Sequence, residues 1–231
     1  MRRIICIGGG EIKNKTTLEI DRYIATLAKD RAGDKRANGL FIGTASHDFM
    51  PLFNSFRKTY TSVFDIKVDC LLTVNVDTSK ERIVEKFSKA DFIYVGGGDT
   101  VFMLKKWQEK GIIEEIIKAY NRGVILTGLS AGAVCWFEQM YTDSASLNNG
   151  DLRYNLYKGL NLIKGTACPH FENRIDDFTL AIKNNNIQLA YGIENNSAIE
   201  FVDENFTKTI TAGGNSYKIL YENGCVYKIM L

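Results

Sequence analysis

The sequence predicts an α/β fold, a mostly parallel sheet with helices on both faces. Short apolar runs alternate with longer segments of helical periodicity as far as residue 128. Parallel strands need crossover helices, and they read as continuous apolar runs because both of their faces are buried. Beyond residue 180 the pattern changes to short C-terminal strands and hairpins. The length of 231 residues is expected to give one compact domain, 1–231.

The predicted elements follow one another with short connections. Apolar runs predict strands at residues 2–10, 39–45, 66–74, 91–99 and 123–128. Helical spacing predicts helices at 18–30, 51–64, 79–90, 100–111 and 112–123, the second of them beginning with a proline in its first turn. The segment after residue 128, as far as 139, is expected to be another helix. The final two strands are expected to form a hairpin around Glu222-Asn223-Gly224.

Composition excludes several classes of partner. The formal net charge is +2, from 29 basic and 27 acidic side chains, so we expect neither nucleic acid nor an anionic membrane as a partner. The five cysteines are dispersed and form no C-x-x-C pair, which predicts neither a disulfide framework nor a zinc site and favours a cytoplasmic protein. The first apolar run is too short for a signal peptide or a membrane span.

Three glycine-rich turns follow predicted strands, at residues 8–10, 96–98 and 128–132. In an open α/β sheet the functional site lies beyond the carboxyl ends of the strands. GGGEIKN does not match the dinucleotide fingerprint and GGGDTVF does not match the P-loop. We therefore expect no nucleotide and no other cofactor or metal, and we interpret the first turn as a tight packing turn.

The third turn, Gly128 to Gly132, matches G-x-S-x-G at the end of a predicted strand. Ser130 is either a nucleophile or only a small residue in a tight turn. A serine nucleophile needs a base within hydrogen-bond reach, and the chain has two histidines. His47 is typical of a solvated loop residue, whereas His170 follows another apolar segment. His170 by itself is equally consistent with a structural histidine, and only its pairing with Ser130 favours a base.

Four segments in this order resemble the dipeptidase E (aspartyl dipeptidase) and cyanophycinase family of serine peptidases: YVGGGDTVFML, GLSAGAVCWFE, CPHFENR and GIENNSAI. The resemblance runs from about the first strand to beyond residue 200. It implies a fold similar to class I glutamine amidotransferase domains and an intracellular exopeptidase or isopeptidase activity. It also implies that Ser130 is the nucleophile and His170 its general base.

An oxyanion needs fixed N–H donors. The backbone N–H of Ala131, at the start of the helix after Ser130, is one candidate. By the resemblance the second comes from the GGGD turn, from either Gly97 or Gly98. A plain tight turn is the alternative interpretation of these glycines.

Three residues are candidates for the third member of the triad. The family places it in a GIxE or GIDE segment, which corresponds here to Gly192 through Asn196. Glu194 is the predicted third member because it is the acid in that turn. Asp143 is the alternative, although an aspartate there also suits a turn cap. Asn195 is a further possibility, since asparagine orients the histidine in some cysteine proteases.

Substrate contacts are predicted from the same motifs. A bidentate arginine suits the carboxylate of an aspartyl substrate, and Arg174 lies four residues after His170. An exposed surface charge is the equal alternative for Arg174. Asp99 and Thr100, together with Glu172 and Asn173, are candidates to bind a substrate amine.

The sequence therefore predicts a serine peptidase for small peptides, a dipeptidase or isopeptidase with a preference for N-terminal aspartate. Because the third member is open between Glu194, Asp143 and Asn195, the sequence also allows an alternative, a catalytically inactive small-ligand binding or regulatory protein on the same fold. A weaker alternative is glutaminase-like amide transfer through Cys135. Apolar edge strands also suggest a homodimer.

Overall fold

The computed structural model describes residues 1–144 and 153–231. Its strands are β1 Arg3–Ile7, β2 Asn38–Ile42, β3 Lys67–Leu71, β4 Phe92–Val95, β5 Ile125–Leu129, β6 Phe137–Thr142, β7 Asn155–Lys158, β8 Ile163–Pro169, β9 Leu189–Ile193, β10 Ser197–Val202, β11 Asn205–Thr211, β12 Ser216–Glu222 and β13 Cys225–Met230. Its helices are α1 Leu18–Ala32, α2 Met50–Ser62, α3 Lys80–Lys89, α4 Thr100–Glu109, α5 Ile112–Asn121, α6 Ala131–Val134 and α7 Ile175–Asn184.

Seven strands form the first sheet, in the order β11-β10-β1-β5-β4-β2-β3. The five strands predicted before residue 128 run parallel to one another, and the β10–β11 hairpin adds two antiparallel strands beside β1. Helices α1 and α2 pack on one face of this sheet and α3, α4 and α5 on the other. The predicted α/β class, with parallel strands between two layers of helices, is confirmed.

A second sheet of six strands has the order β13-β12-β9-β8-β6-β7. Its centre, β6-β8-β9, is parallel, and β7, β12 and β13 are antiparallel additions. The hairpin between β12 and β13 turns at Asn223 and Gly224, whose φ values are 52° and 79°. Two successive residues with positive φ match the right-handed twist of a hairpin. The predicted turn at Glu222-Asn223-Gly224 is therefore present.

One hydrophobic core joins the two sheets. The ring of Phe201, on the first sheet, lies 5.7 Å from that of Phe137 and 5.4 Å from that of Tyr191, both on the second. All three side chains are buried. This shared core supports the assignment of residues 1–231 to one domain, which stays a prediction.

The helix after Ser130 is much shorter than its sequence suggests. Helix α6 ends at Val134, and the chain enters β6 at Phe137. The carbonyl oxygens of Cys135 and Trp136 accept hydrogen bonds from the N–H groups of Leu160 and Leu162 instead of continuing a helix. The expectation of a helix as far as residue 139 is thus wrong, because contacts with a distant segment decide the conformation after the first turn.

The outer strand β13 exposes apolar side chains. Tyr227, Ile229 and Met230 are 50%, 47% and 63% exposed. Such a surface is what the predicted homodimer requires, and the homodimer stays a prediction. Among the helices in the described ranges, none combines the length and the apolar character needed to cross a membrane.

Candidate active site

Ser130 lies in a sharp turn between β5 and α6. Its φ and ψ are 55° and −112°, a conformation that is strained for a residue with a side chain. Its N–H donates to the carbonyl oxygen of Ile7 in β1 (2.8 Å), and its own carbonyl oxygen accepts from Ala133 (2.9 Å). A Cβ at position 132 would lie 2.2 Å from the carbonyl oxygen of Val95, so only glycine fits there. The G-x-S-x-G spacing thus allows a turn that holds Ser130 at the carboxyl ends of the strands.

His170 directly follows β8 and faces Ser130 from the second sheet. Its backbone N–H donates to the carbonyl oxygen of Gly8 (3.1 Å), which fixes the residue against the end of β1. Its Nε2 lies 2.8 Å from Oγ of Ser130, and its Nδ1 lies 2.7 Å from Oδ1 of Asn195. Because Asn195 Oδ1 only accepts, the network assigns the ring proton to Nδ1. Nε2 is then free to accept the proton of the serine hydroxyl.

Asn195 is held in this orientation by Glu172. The side-chain Nδ2 of Asn195 donates to Oε1 of Glu172. The backbone N–H of Asn195 donates to the same carboxylate, at 3.1 Å to Oε2. Since the amide nitrogen faces the carboxylate, the amide oxygen must face the imidazole. A continuous hydrogen-bonded series therefore runs from Ser130 through His170 and Asn195 to Glu172.

The predicted acids are not at the imidazole. Glu194 accepts hydrogen bonds from the backbone N–H of Asn215 (2.8 Å) and the hydroxyl of Tyr217 (3.1 Å), on the other side of the chain from His170. Asp143 forms an ion pair with Arg174 (3.6 Å). Neighbouring residues at a strand end point in opposite directions, so Asn195 and not Glu194 faces the histidine, which corrects the Glu194 assignment. Asp143 is paired with Arg174 and acts on the imidazole only through its charge, so the position beside Nδ1 belongs to Asn195.

The environment of His170 favours its neutral form. Burial of the ring is the main cause that lowers the pKa of His170 below its ordinary value. The hydrogen bond with Asn195 opposes this effect, the Arg174 cation adds to it, and the Glu172 carboxylate opposes it. A histidine with a lowered pKa is unprotonated at neutral pH, which is the state a general base needs.

Gly9 packs closely against the imidazole of His170 and the side chain of Asn195. A Cβ at this position would lie 1.9 Å from Oδ1 of Asn195 and 2.5 Å from Nδ1 of His170. The carbonyl oxygen of Gly9 also accepts from the N–H of Asn196 (3.0 Å). The sequence predicts only a packing role for the first glycine turn. In the structure, Gly9 of this turn packs against the His170–Asn195 pair.

The predicted oxyanion donors lie in the GGGD turn and at the start of α6. A Cβ on Gly97 would come within 3.4 Å of Cβ of Ser130, so this residue is beside the serine. Gly98 packs against Ala45, because a Cβ added to Gly98 would lie 2.1 Å from the carbonyl oxygen of Ala45. Ala131 is the first residue of α6, and the first N–H groups of a helix have no partner within it. Their role as oxyanion donors stays a prediction.

The predicted substrate-binding residues differ in accessibility. The Asp99 carboxylate caps α4 by accepting from Phe102 N–H (2.9 Å). Thr100 is 0% exposed, and its N–H donates to Oγ of Ser144 (3.1 Å). A residue with no exposed surface does not contact a substrate, so the assignment of Thr100 is corrected by its burial.

Arg174 is also largely buried, with 7% of its surface exposed. Its guanidinium stacks 4.5 Å from the ring centroid of Tyr154 and pairs with Asp143, and its Nη1 has no hydrogen-bond partner among the described residues. The alternative of an exposed surface charge is therefore wrong. Its role toward a substrate carboxylate stays a prediction.

Cys135 does not have the properties of a nucleophile. Its side chain is fully buried, and Sγ donates to the carbonyl oxygen of Gly132 (3.3 Å). Burial raises the pKa of the Cys135 thiol well above its ordinary value, which disfavours the reactive thiolate. Within residues 1–144 and 153–231, no group of His, Cys, Asp or Glu side chains has an arrangement that would hold a metal ion.

Known proteins resemble this chain over most of its length. The model of Peptidase family S51 matches residues 4–209. The uncharacterized peptidase YgaJ of Bacillus subtilis (strain 168) is 29% identical over 229 residues, covering 95% of this chain and 93% of the relative. Peptidase E of Salmonella arizonae is 28% identical over 141 residues, which are 58% of this chain and 59% of that protein.

The fold is shared with solved structures. The crystal structure of a peptidase from an acI-B1 Actinobacterium superposes with a TM-score of 0.67 at 17% identity, covering 100% of this chain and 94% of the other. Because the family model covers far more than half of the sequence, the chain belongs to peptidase family S51 and is a serine-type peptidase.

Proposed function

We propose that this peptidase hydrolyses small peptides, as a dipeptidase or isopeptidase, with Ser130 as the nucleophile and His170 as the general base. The observation that carries the proposal is the 2.8 Å contact between Ser130 Oγ and His170 Nε2. A paired nucleophile and base, with the base oriented by a third residue, is the arrangement that activates a serine hydroxyl. The intact pair also argues against the alternative of an inactive ligand-binding protein.

The reaction follows from the hydrogen bonds. Ser130 Oγ attacks the scissile carbonyl carbon while its proton moves to His170 Nε2, giving a tetrahedral intermediate. The intermediate collapses as His170 gives that proton to the leaving amine, and an acyl-serine remains. A water molecule then attacks the acyl carbon while His170 accepts one of its protons. The second tetrahedral intermediate collapses as the bond from the acyl carbon to Ser130 Oγ breaks, and His170 returns the proton to Oγ as the carboxylic acid product leaves.

The oxyanion of the tetrahedral intermediate would accept from the N–H of Ala131 and from an N–H of the Gly97-Gly98 turn. Gly97 lies against Ser130, as its 3.4 Å Cβ contact indicates. Backbone donors are fixed before the reaction begins, so they do not need to reorganise as charge develops. Removing one such donor typically costs about 3 kcal/mol of transition-state stabilisation.

The Asn195–Glu172 pair would take the place of the acidic triad member. Asn195 fixes the tautomer of His170 without contributing a charge, and the Glu172 carboxylate fixes the amide. Glu172 is exposed, so its charge is partly screened by water. We therefore assign Glu172 a positioning role and a modest electrostatic effect on the imidazolium.

Glu172→Gln is expected to lower kcat and to lower the pKa of His170. A hydrogen bond to a charged group contributes about 1.5 kcal/mol, which corresponds to about tenfold in rate. The Glu172 carboxylate raises the pKa of His170, so its loss moves the acidic limb of the pH profile to lower pH. Measurement of kcat/KM against pH for this variant, with the exposed Glu222→Gln as control, tests the role. If kcat falls but the acidic limb of the kcat/KM profile stays at the same pH, Glu172 has only a structural role.

The wild-type enzyme is expected to keep its activity below the ordinary pKa of histidine. His170 must be neutral to accept the serine proton, and its pKa is lowered by burial. The rate therefore rises with pH through the lowered pKa and is constant above it, and the midpoint should lie below about 6.5. A kcat/KM profile from pH 4 to 9 gives this midpoint, and a midpoint clearly above 6.5 contradicts the assignment of His170 as the base.

The N-terminal residue of the substrate is selected by side chains near the scissile bond. The resemblance implies aspartate, which needs a cation at its carboxylate, and Arg174 is the cation that the motif supplies. That guanidinium is already paired with Asp143. A panel of Asp-X, β-Asp-X, Glu-X and neutral dipeptides, with cleavage followed by mass spectrometry, tests the function. Absence of cleavage in the whole panel and in longer peptides would contradict the proposed peptidase activity on small peptides.

A further inference from the structure

A groove of about 500 Å³ opens beside Ser130. Gly96, Gly97 and Leu129 form its wall toward the serine. Leu129 directly precedes Ser130, and a Cβ added to Gly97 would lie 3.4 Å from Cβ of Ser130. The groove therefore lies next to the turn that carries Ser130, and its size suits a small-molecule or short-peptide ligand.

The interior of this groove is apolar. Its described lining includes the buried rings of Phe41 and Tyr94 and the partly exposed side chains of Phe49 and Leu52. The ring of Phe41 stacks on that of Tyr94, with centroids 6.1 Å apart. Phe49 and Leu52 are 56% and 40% exposed, so these two apolar side chains are left in contact with water unless a ligand covers them.

Charge is confined to the exposed part of the groove. Of its described lining residues only Glu11 and Lys13 are charged, and both are exposed. They carry opposite charges, so the groove has no excess of positive charge to hold an acidic side chain. A carboxylate without a partner in an apolar site is strongly disfavoured, whereas an apolar side chain gains from leaving water.

The position of His170 decides which part of a peptide enters the groove. His170 must reach the leaving amine, so the residue after the scissile bond lies on the histidine side. Neither Ser130 nor His170 is among the described residues that line the groove. Its walls come from the first sheet and the segments that connect its strands, including Leu129 beside Ser130, whereas His170 follows β8 of the second sheet. The groove therefore extends from Ser130 away from the leaving group, toward the residue that supplies the scissile carbonyl.

We propose that this groove binds an apolar or aromatic side chain on the acyl side of the scissile bond, so that the enzyme prefers Phe-X and Leu-X over Asp-X peptides. The proposal rests on the proposed function, because it places the side chain relative to Ser130 and His170. In this proposal the preference for aspartate is replaced by a preference for an apolar side chain, which contacts Phe41, Tyr94 and Leu52. Arg174, on the histidine side, then takes no part in selecting the acyl residue.

The test compares kcat/KM for p-nitroanilides of phenylalanine, leucine, alanine and aspartate. We expect phenylalanine and leucine to exceed aspartate by about tenfold or more, since one or two apolar groups in a pocket typically discriminate by 10- to 200-fold. Leu52→Arg should lower the phenylalanine and leucine values by about tenfold and reduce their ratio to aspartate. Leu180→Arg is the matched control, because Leu180 is an exposed leucine (56%) on α7 and does not line the groove.

Two outcomes would overturn the proposal. One is a preference of the wild-type enzyme for aspartate, with Lys13 as the cation that accounts for it. The other is a Leu52→Arg variant whose substrate ratios match those of Leu180→Arg. Circular dichroism of both variants shows whether they fold, and a Leu52→Gln variant replaces Leu52→Arg where the arginine prevents folding.

Measuring dipeptide binding without turnover tests the groove independently of the proposed catalytic function. Calorimetric titration of Ser130→Ala with Phe-Gly and with Asp-Gly measures affinity without turnover. Tighter binding of Phe-Gly, weakened by adding Leu52→Arg, supports the groove even if no anilide is cleaved, and in that case the proposed function alone fails. Equal or tighter binding of Asp-Gly overturns the groove assignment even where the enzyme is active.

Discussion

Replacing Ser130 with alanine is expected to lower kcat by about 10⁶-fold, which is the scale found when the nucleophile of a serine protease is removed. The loss is this large because Ser130 and His170 act as a unit, through the 2.8 Å contact of Oγ with Nε2. Without Oγ no acyl-enzyme forms, and only the oxyanion donors and substrate binding remain. The measurement is single-turnover and steady-state cleavage of the best substrate, with product detected by mass spectrometry.

Two control variants make this result specific. Ser88→Ala removes an exposed hydroxyl that donates to the carbonyl oxygen of Glu85, far from the site in sequence, and should leave kcat unchanged. Cys135→Ala removes the buried thiol and should keep the rate within a few fold. Loss of activity in Cys135→Ala together with retention in Ser130→Ala would reverse the assignment and favour cysteine chemistry.

The first half of the fold could be predicted because its signals are local. The apolar runs before residue 128 become β1 to β5, and each intervening helical pattern becomes a helix. The second sheet depends on pairing between β6, β8 and β9, which are separated by loops and by α7. Such pairing leaves no periodic signal in the sequence. For the same reason the helical pattern after Ser130 was misleading, since Leu160 and Leu162 bind the carbonyl oxygens that a longer helix would use.

The site was predictable to a similar extent. Ser130 and His170 follow strands and belong to distinctive motifs, so the sequence points to both. To choose between Glu194 and Asn195, one must know which way each side chain points at the end of β9. The expectation of an acidic residue does not contain this information. Glu172 acts through Asn195, 23 residues away, and only the folded chain brings the two together. A pattern of residue types therefore identifies the proposed nucleophile and base more readily than the residues that form hydrogen bonds with them.

Gly9→Ala is expected to lower kcat/KM by about 100-fold, because displacing a reacting group by about 1 Å has an effect of this size. The added methyl group would lie 1.9 Å from Asn195 Oδ1 and 2.5 Å from the His170 ring, so both side chains must move. The φ of Gly9 is not in the left-handed region, so lack of space and not backbone strain is the cause. The Ser130–His170 hydrogen bond should lengthen as the ring moves. Steady-state kinetics on the purified variant give the effect.

Gly33→Ala separates this effect from a general loss of stability. Gly33 has φ of 61° at the end of α1, and an added Cβ would meet no atom within 4 Å. That variant should lose about 1–3 kcal/mol of stability from the strained conformation and keep its kcat/KM. If Gly9→Ala lowers Tm no more than Gly33→Ala does and still loses activity, the first glycine turn is part of the catalytic geometry. Wild-type kcat/KM in Gly9→Ala would mean that the imidazole tolerates displacement, and the orientation of His170 by Asn195 would then contribute little to the rate.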